Sequence, residues 1–310
     1  MQRTSAIVLG IAAIVAVAVI AFLLMSRQPD ESPTASASPE PTDSAEPTAS
    51  ATLSADLLDR RWTVLYVGTD QNERRESEGA TLNTDALMLV SLSADQSQLT
   101  LVSLPRDTVD VPLPDGGVHD RKINGLYAEQ GMEALVGAME TLFGVPIDAH
   151  ILLDMDDFAA LVLAVDGVDV SPEAPLADPI VKLDLQPGPQ ELDASQTLGY
   201  VRTRVDKDYG RMGRQQEVLV ALIERLVDPE TDLDLAALVD GLDSLETDVP
   251  LDQLPTLIEL ARRAADAEVR NLLIQPPLIT FEGDRNDGRG YVLEPDVDAI
   301  RAEVQELLAE

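Results

Sequence analysis

From Trp62 onward, short apolar runs that stop on Gly, Ser or Asp alternate with longer stretches of helical period, and this alternation restricts the fold more than any other feature. Residues 62–68 (WTVLYVG) read as a buried strand that hands Asp70 to its C-terminal end. Residues 87–92 and 98–104 flank a polar turn at 93–97 and predict a hairpin. Helices are expected over 132–143, 155–165, 192–200 and 296–308, with strands at 149–153 and 270–274. Over 211–226 the apolar residues Val218, Leu219, Leu222, Ile223 and Leu226 recur at amphipathic spacing, and 233–245 and 251–267 also read as helices. Strands interleaved with helices predict an α/β fold, and the hairpin makes its central sheet mixed.

In front of this region, residues 6–25 (AIVLGIAAIVAVAVIAFLLM) run for twenty positions without a charge, the length of a helix that crosses the hydrocarbon core. A cleavable signal peptide is the alternative. The run exceeds a usual signal core, however, and the one small-residue cleavage-like stretch, Ala35-Ser36-Ala37, lies far beyond it. Residues 28–56 are mostly Ser, Thr, Pro, Ala and Glu, which cannot bury a core and predict an extended spacer. The expected organisation is a transmembrane anchor at 1–27, a disordered linker at 28–56 and an extracellular domain at 57–310. Arg3 and Arg27 flank the span almost evenly, so orientation rests on the short leader and the large acidic portion that follows.

The formal net charge is −34, from 56 acidic against 22 basic residues. Such a surface repels nucleic acid, so a DNA- or RNA-binding role is disfavoured. Any local cluster of cations must form against that field. There is no cysteine, which removes disulfides, thiol nucleophiles and Cys-based zinc sites; His119 and His150 are too few for a multi-histidine metal site.

Three stretches place charge at the ends of apolar runs. Asp70 and Asp85 adjoin strands expected to be neighbours, and fit either turn capping or convergence on one hard cation such as Mg²⁺. Arg106 leaves a buried strand with Asp107 beside it to orient the guanidinium, or to form a structural ion pair; Lys122 can add a point charge. Arg202, Arg204, Arg211 and Arg214 fall within thirteen residues. If 200–204 is extended, Arg202 and Arg204 point to one side, while Arg211 and Arg214 share a face at a helix start. Planar guanidinium forks match phosphate oxygens, and a helix N-terminus at Arg211 would add attraction for anions. Salt-bridging to Asp206 and Asp208 on a surface helix is the competing reading.

Seven motifs in order (GTD, NTDALMLVSL, SLPRDTVDV, RKINGLYAEQG, LFGVPIDAHILLDMDDFAALVLAVDGVDV, LDASQTLGYVRTR and DYGRMGRQQEVL) make the chain resemble the LytR-CpsA-Psr family over about 57–226. Its closing segment, GYVLEPDVDAI, is similar to that family's as well. The resemblance implies an α-β-α fold, a mixed sheet between helical layers with an apolar tunnel for a polyprenyl tail. It implies a Mg²⁺-dependent envelope phosphotransferase that moves a glycopolymer from a polyprenyl-pyrophosphate carrier to peptidoglycan or another cell-wall acceptor. By motif, Asp70 and Asp85 correspond to magnesium-linked aspartates. Arg106, Arg202, Arg204, Arg211 and Gln215 correspond to pyrophosphate contacts, with Asp107, Asp208, Lys122 and Arg214 supporting. Asp70 is also the candidate for helping to deprotonate the acceptor hydroxyl. Such an enzyme sits in the cell membrane by one span, with its C-terminal domain outside.

Two positions depart from the family pattern, which has arginine where this chain has Asn83 and commonly where it has Asn72. Arg74 or Arg75, in the longer loop between the aspartates, are the candidates to replace them in space. The departures also motivate an alternative, a non-catalytic envelope receptor that binds lipid-linked pyrophosphate precursors.

Overall fold

β1 (Trp62–Thr69) is the strand on which the molecule is built, flanked on both edges. One edge pairs antiparallel with β2 (Thr84–Leu92), which turns back as β3 (Gln98–Ser103) in the expected hairpin. The other edge pairs parallel with β6 (Ala149–Leu153). β11 (Glu246–Thr247) extends the sheet beyond β6, and β12 (Glu268–Leu273) runs parallel to β3, giving the six-stranded order β11-β6-β1-β2-β3-β12. The central sheet is therefore mixed, as the alternation of runs predicts.

The structure, a computed structural model, describes residues 58–79, 81–228, 230–231, 233–234, 246–249, 256, 259–260, 263 and 267–309. The apolar run at 6–25, the spacer at 28–56 and most of the helices expected over 233–245 and 251–267 lie outside them. No helix among the described residues is long and apolar enough to cross a membrane.

Side-chain alternation along β1 divides the interior. Leu65 and Val67, fully buried, join Leu87, Leu89 and Val102 against two helices, α3 (Met132–Phe143) and α7 (Val297–Leu308). α3 presents Leu135, Ala138, Met139, Leu142 and Phe143 at helical spacing, each fully shielded and contributing about 1.5–3 kcal/mol for the larger side chains. Gly144 ends it in the left-handed conformation (φ 70°), donating its N–H to Glu140. The opposite layer holds α4 (Met155–Ala164), α5 (Ala194–Arg202) and α6 (Lys207–Val227), whose Val162, Tyr200, Val201, Val218 and Leu222 form a second core. Two small ribbons close it, β7 (Val168–Val170) with β10 (Gln190–Leu192), and β8 (Leu176–Asp178) with β9 (Leu183–Leu185). The short helices α1 (Glu73–Ser77) and α2 (Leu126–Gln130), the ribbon of β4 (Val111–Pro112) with β5 (Val118–His119), and the hairpin of β13 (Ile279–Asp284) with β14 (Tyr291–Pro295) decorate the sheet ends.

Two local expectations need correcting. The segment 200–204 is not extended throughout: α5 continues to Arg202, because Asp193 caps it reciprocally with Gln196 and Thr203 N–H still bonds Gly199. The next helix starts at Lys207, so Arg211 lies one turn inside it. Lys207 itself has φ +72°, the left-handed turn that redirects the chain into α6.

Candidate active site

The strand register brings the two aspartates together. Thr69 pairs with Thr84 at a bulge, and Asp70 N–H donates to Asn83 O at 3.0 Å, so Asp70 and Asp85 emerge at the same end of the sheet. Arg106 leaves the end of the neighbouring β3 and pairs with the Asp85 carboxylate. The first turns of α6 lie over this edge. Arg211 Nη1 donates to the Asp85 carbonyl at 2.6 Å and its Nε to Asp208 Oδ1 at 3.3 Å. Arg204 Nε approaches the same Asp208 oxygen at 3.4 Å. Residues 85, 106, 204, 208 and 211 thus form one cluster.

That cluster is partly buried and incompletely satisfied. The Arg211 side chain is only 2% exposed, and its Nη2, Arg106 Nε and Asp208 Oδ2 are buried without a hydrogen-bond partner. Unmade hydrogen bonds of this kind cost about 1–3 kcal/mol each, more when charged. Burial pulls the Arg106 pKa down, yet Asp85, Asp107 and Asp208 outweigh it and leave the guanidinium held above its ordinary value. Arg204 moves the other way, lowered first by burial and then by repulsion from Arg211 and Arg106. Mutual repulsion among guanidinium groups is relieved by a multiply charged anion.

Beside the cluster opens a narrow cleft. Tyr66, Leu153, Met155, Phe158, Leu198, Val201 and Leu219 give it apolar walls, while Asp70, Asp85, Arg202, Arg211 and Gln215 provide its polar groups. Tyr66 shares one strand face with Gly68, and a Cβ at Gly68 would stand 3.1 Å from Ala86 Cβ and 3.7 Å from the Tyr66 hydroxyl. Small residues on facing strands keep the space open. Burial pushes the Tyr66 phenol up to about 12.

The remaining expected site residues divide into two groups. Arg202 and Gln215 line the cleft, with Gln215 Nε2 bonded to Val201 O at 3.3 Å. Asp107 pairs with Lys122 at 2.9 Å; the carboxylate that orients Arg106 comes from Asp85. Arg214 is turned inward, its Nε on Tyr200 O at 2.8 Å, Nη2 on Thr203 O and Nη1 on Asp206, so its donors serve the α5–α6 connection. Asp70 accepts from Asn83 N at 2.9 Å and from Arg75 Nη2 at 2.7 Å. Arg75, and not Arg74, supplies a guanidinium to the wall where Asn72 and Asn83 stand; Arg74 is spent on the exposed Glu78.

Sequence reading missed the cleft walls, since an apolar channel and an ordinary core share one composition. It also missed Asp154, which lines the cleft and caps α4 reciprocally with Asp157, although an aspartate before a helical run is a legible signal. Among the described residues no group of three or more His, Cys, Asp or Glu side chains is arranged to hold a metal. Asp70 and Asp85 both line the cleft, where Asp70 is paired with Arg75 and Asp85 with Arg106.

Fold and cleft define an α/β domain that presents guanidinium groups at the mouth of an apolar cleft. The LytR_cpsA_psr family model matches residues 29–306, and the chain belongs to that family. It is 25% identical over 265 residues to the polyisoprenyl-teichoic acid–peptidoglycan teichoic acid transferase TagV of Bacillus subtilis, covering 82% of this chain and 66% of TagV. It is 27% identical over 253 residues to the transferase TagU of Enterococcus faecalis, covering 80% of each. With the cell wall biosynthesis protein LcpA of Corynebacterium glutamicum, identity is 26% over 293 residues, 80% of this chain and 55% of LcpA. The chain thus spans about half to two thirds of the length of TagV and LcpA. In fold it is similar to the crystal structure of B. subtilis TagV (TM-score 0.62, 23% identity, 81% and 98% of the two chains). TagT bound to LIIa-WTA superimposes similarly (TM-score 0.63, 24% identity, 82% and 93% of the two chains).

Proposed function

We propose that this chain is a membrane-anchored phosphotransferase that moves a glycopolymer from a polyprenyl-pyrophosphate carrier to a hydroxyl of peptidoglycan or a similar cell-wall acceptor. One observation carries the reading: buried guanidinium donors of Arg106 and Arg211 lack partners beside a cleft with apolar walls. A diphosphate on a long apolar tail has the chemistry of both parts. The names of TagV and TagU, which are transferases of teichoic acid to peptidoglycan, point the same way.

In the reaction the acceptor oxygen attacks the phosphorus that bears the glycopolymer. The bond from that phosphorus to the bridging oxygen breaks, polyprenyl phosphate departs with the electron pair, and the hydroxyl proton is released. Such transfers need positioning and neutralisation of spread charge more than covalent help. Arg106 and Arg211 grip the diphosphate, with Arg202, Arg204 and Gln215 around it; Asp85 and Asp208 hold the arginines in place. Lys122 and Asp107 support the Arg106 loop, and Arg214 supports the α5–α6 connection. Asp70 and Asp85 would hold one Mg²⁺, which supplies positive charge to the phosphoryl oxygens when bound. Asp70, restrained by Arg75 and Asn83, is the group proposed to receive the acceptor proton. On this reading the apolar run at 6–25 and the spacer at 28–56 would hold the domain outside the cell membrane, where a lipid-linked donor is presented.

The non-catalytic receptor reading draws on Asn72 and Asn83, but Arg75 brings a guanidinium to Asp70 beside Asn83. Full-length protein in detergent, given Mg²⁺ and a polyprenyl-pyrophosphate donor with a glycan acceptor, should release polyprenyl phosphate. Chelation should stop release, and Arg211→Lys, which keeps charge but loses the planar fork, should slow it by about 10²–10³-fold. Tight donor binding without turnover under any divalent metal would make the chain a receptor.

A further inference from the structure

A second cleft, with about 820 Å³ of empty space, adjoins the arginine cluster and is lined by Asp107, Arg204, Lys207, Asp208, Tyr209, Glu282, Tyr291 and Leu293. It shares Arg204 and Asp208 with the cluster, and Asp208 bonds Arg211, which lines the first cleft, so one ion pair links the two. Its outer wall comes from the β13–β14 hairpin. Glu282 there accepts from Tyr209 at 3.2 Å and from Tyr291 through its other oxygen. Tyr291 is 48% exposed.

We infer that this second cleft is a saccharide subsite for the acceptor glycan, with Tyr209, Tyr291 and Glu282 as its recognition groups. The inference rests on the phosphotransferase reading and names which part of the molecule chooses the acceptor. Phenol rings offer a flat apolar body to the C–H face of a pyranose together with a polar tip. A carboxylate has about four lone-pair sites, so Glu282, clamped by two phenols, still has room to accept from sugar hydroxyls. Asp107, Asp208 and Glu282 stand against Arg204 and Lys207 in the lining, a nearly balanced set that suits an uncharged acceptor sugar and leaves the charged donor to the arginine cluster. Burial, and then Glu282, push the Tyr291 phenol up to about 12 and raise Tyr209 as well, so both remain donors at any physiological pH.

The wall is fixed to the reacting end of the molecule. Leu293 N donates to Asp107 O at 3.1 Å and Val109 N to Leu293 O at 2.9 Å, which staples β14 to the loop that carries Arg106. Arg285 holds Glu294 bidentately at 2.8 and 2.6 Å and lies over the Phe281 ring at 3.6 Å, stiffening the hairpin. A sugar seated against Tyr291 and Glu282 would lie beside Asp208 and Arg204, next to the arginine cluster that holds the donor.

The test compares wild type, Tyr291→Ala, Glu282→Gln and Tyr209→Phe as full-length proteins, with N-acetylglucosamine tetramer as acceptor probe. Removing the Tyr291 ring or the Glu282 charge should raise acceptor KM about tenfold, the loss of roughly one good contact, with donor KM unmoved. Tyr209→Phe keeps the ring and should give a smaller rise. Ligand-observed NMR without donor should show tetramer binding to wild type and its loss in Tyr291→Ala. An unchanged acceptor KM in a turning-over enzyme, or tetramer binding that ignores both substitutions, overturns the subsite. Absent turnover in wild type overturns the phosphotransferase reading instead, and the NMR arm still decides the subsite.

Discussion

Arg211 Nη1 donates to the backbone carbonyl of Asp85 at 2.6 Å, while the carboxylate of that same aspartate pairs with Arg106. One residue at the start of β2 therefore orders two guanidinium groups that reach it from different parts of the chain. Asp85→Asn keeps the backbone contact to Arg211 and removes only the charge opposite Arg106. Asp85 is 28% exposed, so solvent softens the loss, and stability should change by no more than about 1 kcal/mol. Transfer should fall further, by about 10–100-fold, because a misaimed guanidinium loses its contact in the transition state. Rates set beside a denaturant titration measure both; a parallel collapse of fold and rate would deny the separation.

The loop between the aspartates gives a matched pair of variants. Arg75 is 36% exposed and touches Asp70, whereas Arg74 is 81% exposed and pairs with Glu78. Arg75→Ala should raise donor KM a few-fold, the scale of a half-exposed charge contact. Arg74→Ala should leave donor KM where it was. Equal effects would mean that general loop charge, and not reach, matters.

Much of this arrangement is legible in the chain itself. The apolar runs at 87–92 and 98–104 with the polar turn between them announce the hairpin, and the arginine density after Tyr200 announces a cluster of guanidinium groups. Arg214 was beyond reach for a physical reason. Spacing puts it one turn from Arg211, but the Tyr200 and Thr203 carbonyls that occupy it belong to the α5–α6 connection, whose path depends on tertiary packing. The Tyr66 and Phe158 walls were hidden because empty space leaves no mark in composition. In the Tyr209–Glu282–Tyr291 contact, Tyr209 and Glu282 are 73 positions apart, and no local pattern encodes that.

Arg214 should therefore behave as a structural residue. It is 6% exposed and holds the two carbonyls together with Asp206. Arg214→Ala leaves those acceptors unmet and should lower unfolding free energy by about 2–3 kcal/mol. Donor KM in the surviving folded fraction should rise only modestly. A large KM change without loss of stability would place Arg214 on the substrate after all.

Gly68 offers the sharpest examination of the apolar cleft. It lies on the β1 face that also carries Tyr66, and a Cβ there would meet Ala86 Cβ at 3.1 Å. Gly68→Val adds branched volume to a packed strand at a cost of about 1–3 kcal/mol, within reach of a domain with this much buried core. The added methyl groups would enter the cleft between Tyr66 and Ala86. If the cleft takes the lipid tail, a donor with a long polyprenyl chain should lose tenfold or more in kcat/KM, a loss of at least about 1.4 kcal/mol. A donor truncated to a few isoprene units ends before the obstruction and should be used nearly as well as by wild type. Rates for the two donors, measured on one protein preparation, cancel any shared effect of lowered stability. Equal losses would mean that the tail lies elsewhere and that the apolar walls are ordinary core.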